Sequence, residues 1–305
     1  MYDVIVVGGG PAGLTAAVYA LRGGRSVLVI EKNGFGGQIA YSPKVENIPG
    51  TVQISGAEFA DKLVEQAMNL GAEMELETVI SVEPGKEGFQ VCTEEGSTFE
   101  GKTVILALGV KHRMLGLEGE LELVGNGLSF CAVCDGAFYA GQDVAMIGGG
   151  NSALQEALLL SEICRKVTIV QNLADFTGEK KLAEAIFEKD NVEVHFNTVV
   201  AGYQQKNGAL CGLDLKKEDS GETFQMQVDG AFLAVGLMPE NEAFSQLAGL
   251  NEWGYFDSGE DCVTGTPGLF VAGDCRSKRI RQVVTAAADG AVAATAACMY
   301  LDQNS

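Results

Sequence analysis

The sequence predicts an α/β fold with two three-layer, Rossmann-like domains, the second inserted into the first. Three observations support this prediction. A short β-branched run leads into the glycine turn Gly8–Gly13 and then into a helical pattern. The same order recurs around a second glycine turn, Gly148–Ala153. The strand and helix predicted over residues 268–301 have no glycine turn of their own, so they complete the first domain.

The first glycine turn predicts a dinucleotide site. In Gly8-x-Gly10-x-x-Gly13, the first glycine permits the tight turn, the second lets the backbone approach a pyrophosphate, and the third lets helix and strand pack closely. The next strand ends at Glu31, where a carboxylate would hold ribose hydroxyls. A glycine-rich turn without a ligand is the alternative, but it does not account for the complete strand, turn, helix, strand and acid.

The rest of the first domain follows in chain order. Residues 54–70 carry apolar side chains at helical spacing. Residues 72–100 form short alternating runs broken by glycines, which predicts a small antiparallel meander. Residues 103–109 then form a buried strand that ends at Gly109.

The inserted domain repeats this order. A strand precedes the second glycine turn, a helix and a strand follow it, and residues 192–228 predict a second small meander. The last strand, residues 231–236, again ends in glycine. The predicted boundaries are 1–111 with 242–305 for the outer domain and 112–241 for the inserted domain.

The C-terminal segment adds polar groups to the first site. A strand ends at Gly273-Asp274, and a predicted helix begins near Arg281 and Gln282. A carboxylate in that place can bind polyol hydroxyls, and the helix start can direct amide dipoles at an electron-rich ring. Together with the first glycine turn and Glu31, this favours FAD. The alternative for Asp274 is a turn or helix cap.

The Cys-x-x-Cys motif formed by Cys131 and Cys134 is followed directly by Asp135. Within one helical turn this spacing lets the sulfurs form a small, reducible disulfide that carries two electrons. The adjacent carboxyl group could carry the accompanying proton. The alternatives are half of a zinc site or two inert core thiols. Zinc would need more ligands, but the other six cysteines are scattered and there are two histidines, so the sequence favours redox chemistry and predicts no metal site.

Composition excludes some partners. Lys and Arg number 21 and Asp and Glu 41, so the formal net charge is −20, which disfavours nucleic acid and anionic membranes. A strand pattern begins at Tyr2, which leaves no room for a signal peptide, and we expect no apolar run long enough to span a bilayer. Eight cysteines without a secretion signal indicate a reducing compartment, so we expect a cytoplasmic protein.

These motifs together resemble the low-molecular-weight bacterial thioredoxin reductases, which are flavin disulfide reductases, over nearly the whole chain. The resemblance depends on the two glycine turns, Gly36-Gly37-Gln38, the run from Val45 to Gly50, Cys131-x-x-Cys134-Asp135-Gly136, and Gly273-Asp274 followed by Arg281-Gln282. It implies a homodimeric FAD enzyme that reduces thioredoxin or a thioredoxin-like protein, with an inserted domain that swivels.

The resemblance also implies residue roles. Cys134 would be the sulfur nearest the flavin, Cys131 the thiol that attacks the substrate, Asp135 the proton carrier, and Phe138 a docking residue for the partner. The implied FAD-binding residues are Gly8, Gly10, Pro11, Ala12, Gly13, Glu31, Gly37, Gln38, Ile39, Asn47, Gly109, Asp274, Arg281, Gln282 and Val283. The implied nicotinamide-nucleotide residues are Gly148, Gly150, Asn151, Ser152, Ala153 and Gln171.

The chain departs from this family where the 2′-phosphate of NADPH would bind. The family has a His-Arg-Arg-x-x-x-Arg motif there, whereas this chain has Gln171 to Thr177 without an arginine. No acid replaces the histidine to favour NADH. The electron donor therefore stays open between NADPH, NADH, and a ferredoxin- or deazaflavin-linked source. A flavin redox sensor without turnover is a further alternative.

Overall fold

The computed structural model of the chain describes residues 1–42 and 44–304. Its strands, in chain order, are β1 (Tyr2–Val7), β2 (Val27–Glu31), β3 (Glu73–Leu76), β4 (Val79–Gly85), β5 (Gly88–Thr93), β6 (Thr98–Leu106), β7 (Lys111–His112), β8 (Leu128–Ser129), β9 (Asp143–Ile147), β10 (Lys166–Val170), β11 (Val192–His195), β12 (Thr198–Lys206), β13 (Ala209–Lys217), β14 (Thr223–Gln227), β15 (Gly230–Leu233), β16 (Leu237–Met238) and β17 (Leu269–Val271). Its α-helices are α1 (Pro11–Arg22), α2 (Gly56–Asn69), α3 (Glu120–Leu123), α4 (Ala132–Asp135), α5 (Asn151–Ser161), α6 (Lys180–Phe187) and α7 (Val283–Gln303).

The described chain divides into two compact units. Unit 1 contains residues 1–111 and 238–305, and unit 2 contains residues 112–237. The sequence places the second boundary at residue 241, whereas the contacts place it between Leu237 and Met238. Two short strands, β7 and β16, pair with each other where the chain passes from one unit to the other.

Unit 1 is built on one sheet, in which β6 joins two kinds of pairing. Strands β3, β2, β1, β6 and β17 are parallel, and β4, β5 and the first half of β6 are antiparallel. Alternate residues of β1 face opposite sides: Val4 and Val6 belong to the apolar cluster that contains α1 and α7, and Ile5 belongs to the cluster on the other face. This arrangement confirms the predicted α/β class with a parallel sheet.

The predicted meander over residues 72–100 is partly wrong. Residues 73–76 form β3, which pairs in parallel with β2 rather than with the meander. The meander itself is β4, β5 and β6, and β6 continues without a break into the parallel sheet. The sequence divides this nine-residue strand because Gly101 interrupts its apolar pattern. Gly101 fits there because a Cβ would lie 2.7 Å from the Ile5 side chain.

Unit 2 has a parallel five-stranded sheet of order β11-β10-β9-β15-β8 and a separate antiparallel sheet of β12, β13 and β14. The first strand of its predicted meander is again a parallel edge strand, because β11 pairs with β10. Strand β8 pairs with β15 directly before the two cysteines, so it fixes the position of the dithiol segment within the unit.

Helix α7 is an exception to the expectation that no segment could span a membrane. By length and composition alone it is long and apolar enough to do so, which is weak evidence because core helices pass the same test. Its Ala293, Ala294 and Ala297 are buried in the cluster shared with α1. A Cβ on Gly290 would lie 2.1 Å from the Ala12 carbonyl oxygen, so the two helices pack almost backbone to backbone.

Candidate active site and cofactor sites

The two cysteines of the Cys-x-x-Cys motif form a disulfide at the start of α4. Cys131 is the residue before this helix, and its Sγ accepts a hydrogen bond from the Cys134 amide at 3.1 Å. Around the pair, Val133 and Ala137 are exposed and Phe138 is half-buried. The disulfide is therefore held within unit 2, and Val133 on α4 and Ala137 on the following turn present apolar side chains to solvent beside it.

Asp135 lies beside the disulfide and is bound to β8. The Ser129 hydroxyl donates to Oδ2 of Asp135 at 2.6 Å and accepts from the Cys131 amide at 3.1 Å. Oδ1 of Asp135 is buried and has no partner within the described residues. Burial raises the pKa of Asp135, although the Ser129 hydrogen bond opposes this effect. A carboxyl group that holds its proton to higher pH is suited to proton transfer.

Glu156 is a second carboxyl group at this site, and the sequence analysis missed it. It lies on α5, and its Oε2 accepts a hydrogen bond from the Ala132 amide at 2.9 Å. Burial raises the pKa of Glu156 to about 7, against the opposing effect of that hydrogen bond. The position of Glu156 in the sequence could have indicated it. Glu156 is the single charged residue of α5 and lies between Ala153 and Ala157, which are both buried.

The two histidines lie apart in unit 2, His112 in β7 and His195 at the end of β11. His112, the first residue of unit 2, stacks on Phe130 with ring centroids 4.4 Å apart, and burial lowers its pKa to about 4. It is therefore neutral at physiological pH. His195 lies 3.1 Å from the Glu193 carboxylate.

The first glycine turn is closely packed in unit 1. Gly8 has φ +109°, and a Cβ on Gly13 would lie 1.9 Å from the Gly8 carbonyl oxygen. Pro11 begins α1, and Ala12 is buried beneath the turn. Glu31 accepts from the Gly9 amide at 2.7 Å, so its carboxylate lies at the turn.

Several of the other proposed FAD residues lie around the same turn. Gly37, Gln38 and Ile39 form a 3₁₀ turn, and a Cβ on Gly37 would lie 3.0 Å from the Gly10 Cα. The Gln38 side chain donates to the Val110 carbonyl. Gly109 has φ +67° and open space beside it.

The C-terminal group forms a second cluster within unit 1. The Asn47 amide donates to Gln282 at 3.1 Å, directly before Val283 starts α7. The Arg281 guanidinium donates to the Asp274 carbonyl at 3.3 Å and lies 4.2 Å from the centroid of the Tyr255 ring.

Asp274 provides the test of whether unit 1 fits a flavin cofactor. It follows β17, and its Oδ1 is buried with no hydrogen-bond partner within the described residues. Burial raises its pKa to about 6. A buried carboxylate oxygen without a partner calls for an external donor, such as a ligand hydroxyl. Because Asp274 accepts no cap hydrogen bond through Oδ1, the cofactor interpretation explains it better than the cap alternative, and the residues of unit 1 fit FAD.

The second glycine turn has the same backbone requirements as the first. Gly148 has φ +131°, and a Cβ there would lie 2.5 Å from the Ala234 carbonyl oxygen. Gly150 precedes α5, where Asn151 and Ser152 are exposed and Ala153 is buried. The Asn151 side chain accepts from the Glu179 amide at 2.6 Å.

The segment that follows β10 lacks a phosphate-binding cation. Gln171 is 4% exposed, donates to the Asp175 carbonyl at 3.1 Å and lies against Gly149. Residues 171–179 contain no Lys or Arg. The next cations, Lys180 and Lys181, are exposed at the start of α6. Gln171 is therefore satisfied internally, and no cation of this segment can bind a 2′-phosphate.

Comparisons with known proteins agree with this geometry. Residues 2–290 match the family model described as pyridine nucleotide-disulphide oxidoreductase. The chain is 38% identical over 303 residues to a thioredoxin reductase of Bacillus subtilis, covering 99% of this chain and 96% of that protein.

The chain belongs to the pyridine nucleotide-disulphide oxidoreductase family. It is also 38% identical to a thioredoxin reductase of Listeria monocytogenes, over 99% of this chain and 95% of that protein. Among solved structures, a thioredoxin reductase from Streptococcus pyogenes has a TM-score of 0.94, 36% identity and 99% coverage of both chains. The predicted resemblance and the two Rossmann-like domains are confirmed, and membership makes this chain a flavoprotein oxidoreductase.

Each unit contains one group of the candidate site residues. Unit 1 contains the first glycine turn, Glu31, Gly37 and Asp274, and unit 2 contains the dithiol, Asp135 and the second glycine turn. Among the described residues, no cluster of three or more His, Cys, Asp or Glu side chains could hold a metal ion.

Proposed function

We propose that the chain is an FAD-dependent disulfide reductase that passes electrons through Cys131 and Cys134 to thioredoxin or a thioredoxin-like protein. The observation that carries the proposal is the disulfide on α4 beside the buried carboxyl of Asp135. Family membership supports it, because the relatives that match over the full chain are thioredoxin reductases. The exposed apolar side chains beside the disulfide, with Phe138, suit contact with a protein rather than a small polar substrate.

FAD bound in unit 1 would supply the electron pair that reduces the disulfide. The first glycine turn would hold its pyrophosphate, Glu31 its ribose and Asp274 its polyol hydroxyls. The segments around Gln38, Asn47, Gly109 and Gln282 would complete the site. The buried, unpartnered oxygen of Asp274 supports this assignment.

The dithiol would then act by thiol–disulfide exchange. The Cys131 thiolate attacks one sulfur of the substrate disulfide, which forms a mixed disulfide and releases one substrate thiolate. The Cys134 thiolate attacks Cys131, restores the enzyme disulfide and releases the second substrate thiolate. Asp135 would carry protons to the leaving thiolates, since burial raises its pKa.

The test is single-turnover reduction of thioredoxin. The protein is reduced anaerobically with dithionite, excess reductant is removed, and oxidised thioredoxin is added. Mass spectrometry should then show reduced thioredoxin with the unchanged protein and with Cys211→Ser, a half-buried cysteine on β13 that serves as the control. Cys131→Ser should give none. Reduction by Cys131→Ser at the unchanged rate would disprove the proposal.

A specific observation also favours an electron donor other than NADPH. Guanidinium groups are the usual phosphate ligands at such a site, and residues 171–179 have none. We propose a ferredoxin-linked or deazaflavin-linked donor. With ferredoxin, two reduced molecules would each supply one electron per disulfide.

Anaerobic titration distinguishes these donors. Reduced ferredoxin should bleach the flavin absorbance, whereas NADPH at micromolar concentration should not. Bleaching by NADH at micromolar concentration would instead assign a nicotinamide donor that needs no 2′-phosphate ligand. A variant carrying Asn172→Arg, Leu173→Arg and Thr177→Arg should gain NADPH-dependent bleaching. Rapid bleaching of the unchanged protein by micromolar NADPH would exclude the ferredoxin proposal and restore a nicotinamide donor.

We further propose a homodimer located in the cytoplasm. Exposed apolar side chains of α1 and α7, Tyr19, Val292 and Met299, line a surface depression of about 340 Å³ in unit 1, and such patches suit a subunit contact. Light scattering should give twice the chain mass of 32.0 kDa. Six cysteines are free in the described chain, which suits a reducing compartment.

A further inference from the structure

Glu156 is the one charged side chain on α5, and it faces the dithiol segment. Helix α5 packs against α4 through Ala132, Ala157 and Leu160, which all belong to one buried apolar cluster. Within this contact the Glu156 carboxylate accepts from the Ala132 amide at 2.9 Å. This amide belongs to the peptide bond that joins Ala132 to Cys131. The carboxylate is thus fixed next to the cysteine proposed to attack the substrate.

The surroundings give Glu156 no compensating cation. Among residues 1–42 and 44–304, no salt bridge includes it. The titratable side chains of the dithiol segment, on one side of α5, are Cys131, Cys134, Asp135 and, on the following turn, Tyr139. On the other side, α6 presents Lys180, Lys181 and Glu184, which are exposed. On the strands beneath, Asp143 pairs with Arg165, and Lys166 pairs with Glu193.

A carboxylate in this place does more than a neutral acceptor would. Glutamine could accept the same hydrogen bond and hold α4 equally well. A negative charge, however, disfavours a second negative charge nearby, and it acts strongly where burial excludes water. An amide that donates to Glu156 is also less able to stabilise a thiolate at Cys131.

We propose that Glu156 is a positioning residue that controls the ionisation of Cys131 through the Ala132 peptide. Its carboxylate and the Cys131 thiolate disfavour each other, so the pair holds one proton to higher pH than either group alone. This inference rests on the proposed role of Cys131. Loss of one proton from the pair gives a monoanion, and loss of the second, which leaves both groups charged, is shifted to higher pH.

The test measures the reactivity of the Cys131 thiol and needs neither thioredoxin nor an electron donor. FAD-loaded protein carrying Cys134→Ser is reduced with dithiothreitol, desalted and alkylated with iodoacetamide between pH 5 and pH 10. The rate is followed by mass spectrometry of the peptide that contains Cys131. The same profile is recorded with Glu156→Gln added, and with Glu162→Gln as the matched control, because Glu162 is exposed and pairs with Lys189.

In Glu156→Gln the thiol should ionise at lower pH, by about one unit, so alkylation near pH 8, where Glu156 carries its charge, should be up to about tenfold faster. The profile should also lose an inflection near pH 7, where burial places the pKa of Glu156. The profile of the protein with Glu162→Gln should match that of the protein with Cys134→Ser alone. Superimposable profiles of Glu156→Gln and Glu162→Gln would overturn the proposal.

Glu156→Asp separates the effect of the negative charge from the effect of side-chain length, because it keeps the charge and shortens the side chain. A profile that stays close to that of Glu156 supports electrostatic control. A profile that matches Glu156→Gln, although aspartate keeps the negative charge, shows that this charge does not control the thiol, and it overturns the proposal. If Cys131 proves unnecessary for thioredoxin reduction while these profiles differ as expected, the proposed function fails and the electrostatic coupling stands.

Discussion

Burial controls the acid–base behaviour of the carboxyl groups next to the disulfide. Burial raises the pKa of both Asp135 and Glu156, and each accepts one hydrogen bond that only partly offsets this effect. Each folded-state group therefore holds its proton at a pH where the unfolded chain has released it. For each such group, the free energy of unfolding falls as pH rises from the pKa in the unfolded chain to the pKa in the folded protein.

Glu156→Gln should stabilise the fold in a pH-dependent way. The pKa of Glu156 is raised from 4.5 to about 7, so its destabilising effect begins above pH 4.5 and is complete above pH 7. The gap in unfolding free energy between variant and unchanged protein should widen between pH 5.5 and pH 8, towards about 3 kcal/mol. Denaturant titrations at both pH values measure this gap. Glu162→Gln is the control, and a gap independent of pH would contradict the assignment.

Asp274→Ala should weaken flavin retention. Its buried oxygen lacks a protein partner, and a hydrogen bond from a ligand to a charged group contributes about 1.5–3 kcal/mol, which is roughly tenfold or more in affinity. The ratio of flavin to protein absorbance after dialysis measures this loss. Asp257→Ala removes an exposed carboxylate of unit 1 and should retain FAD. Equal retention of FAD by both variants would show that Asp274 does not bind the cofactor.

At the scale of elements, the contact between α1 and α7 determines how the C-terminal helix completes unit 1. Alanine and glycine on the facing sides let the two backbones approach closely. Helix α7 begins at Val283, directly after Gln282, so both residues lie at a helix start in the unit that contains the first glycine turn. At Gly290 the backbones of the two helices lie close together, with Ala12 and Ala16 opposite.

Gly290→Ala should destabilise the fold by about 1–3 kcal/mol, even though alanine favours helix by about 1 kcal/mol over glycine. The added Cβ would lie 2.1 Å from the Ala12 carbonyl oxygen, so the helices must separate. Chemical denaturation monitored by circular dichroism measures the effect. Gly249→Ala, where nothing lies within 4 Å of the new Cβ, should cost much less. Equal stability of the two variants would contradict the close packing.

Elements defined by local sequence were predictable, and elements defined by distant pairing were not. The glycine turns are local, because the turn, the helix start and the flanking strands lie within one segment. Strand β8 has two residues and exists because it pairs with β15, about a hundred residues away. Strand β3 has the alternating pattern of a meander strand but pairs with β2. Glu156 approaches the dithiol only because α5 packs on α4, and the sequence gives no measure of that contact.

At the scale of the whole molecule, each unit has its own sheet and its own apolar cores. Of the four buried clusters in the described chain, two lie entirely in unit 1 and two entirely in unit 2. The ends of unit 2 are close together because β7 pairs with β16. These properties are those of domains that tolerate separation.

We therefore expect the units to fold separately. Residues 112–237 alone should unfold cooperatively in denaturant and form the Cys131–Cys134 disulfide. Residues 1–111 joined to 238–305 by a short glycine linker should bind FAD. Circular dichroism and flavin absorbance measure the two outcomes. Non-cooperative unfolding of the isolated unit 2, or FAD binding by unit 2 rather than unit 1, would contradict the assignment.

The insertion also fixes the order in which the protein can be made. A ribosome releases residues 112–237 before it has translated β17 and α7, which complete the parallel sheet of unit 1. The cysteine-bearing unit can therefore fold on the nascent chain while the surrounding unit still lacks Asp274 and its last helix. Strand β17 and helix α7 then join a unit 1 whose other parallel strands have already been translated, so the parallel sheet of unit 1 is completed after the segment that carries the disulfide can fold.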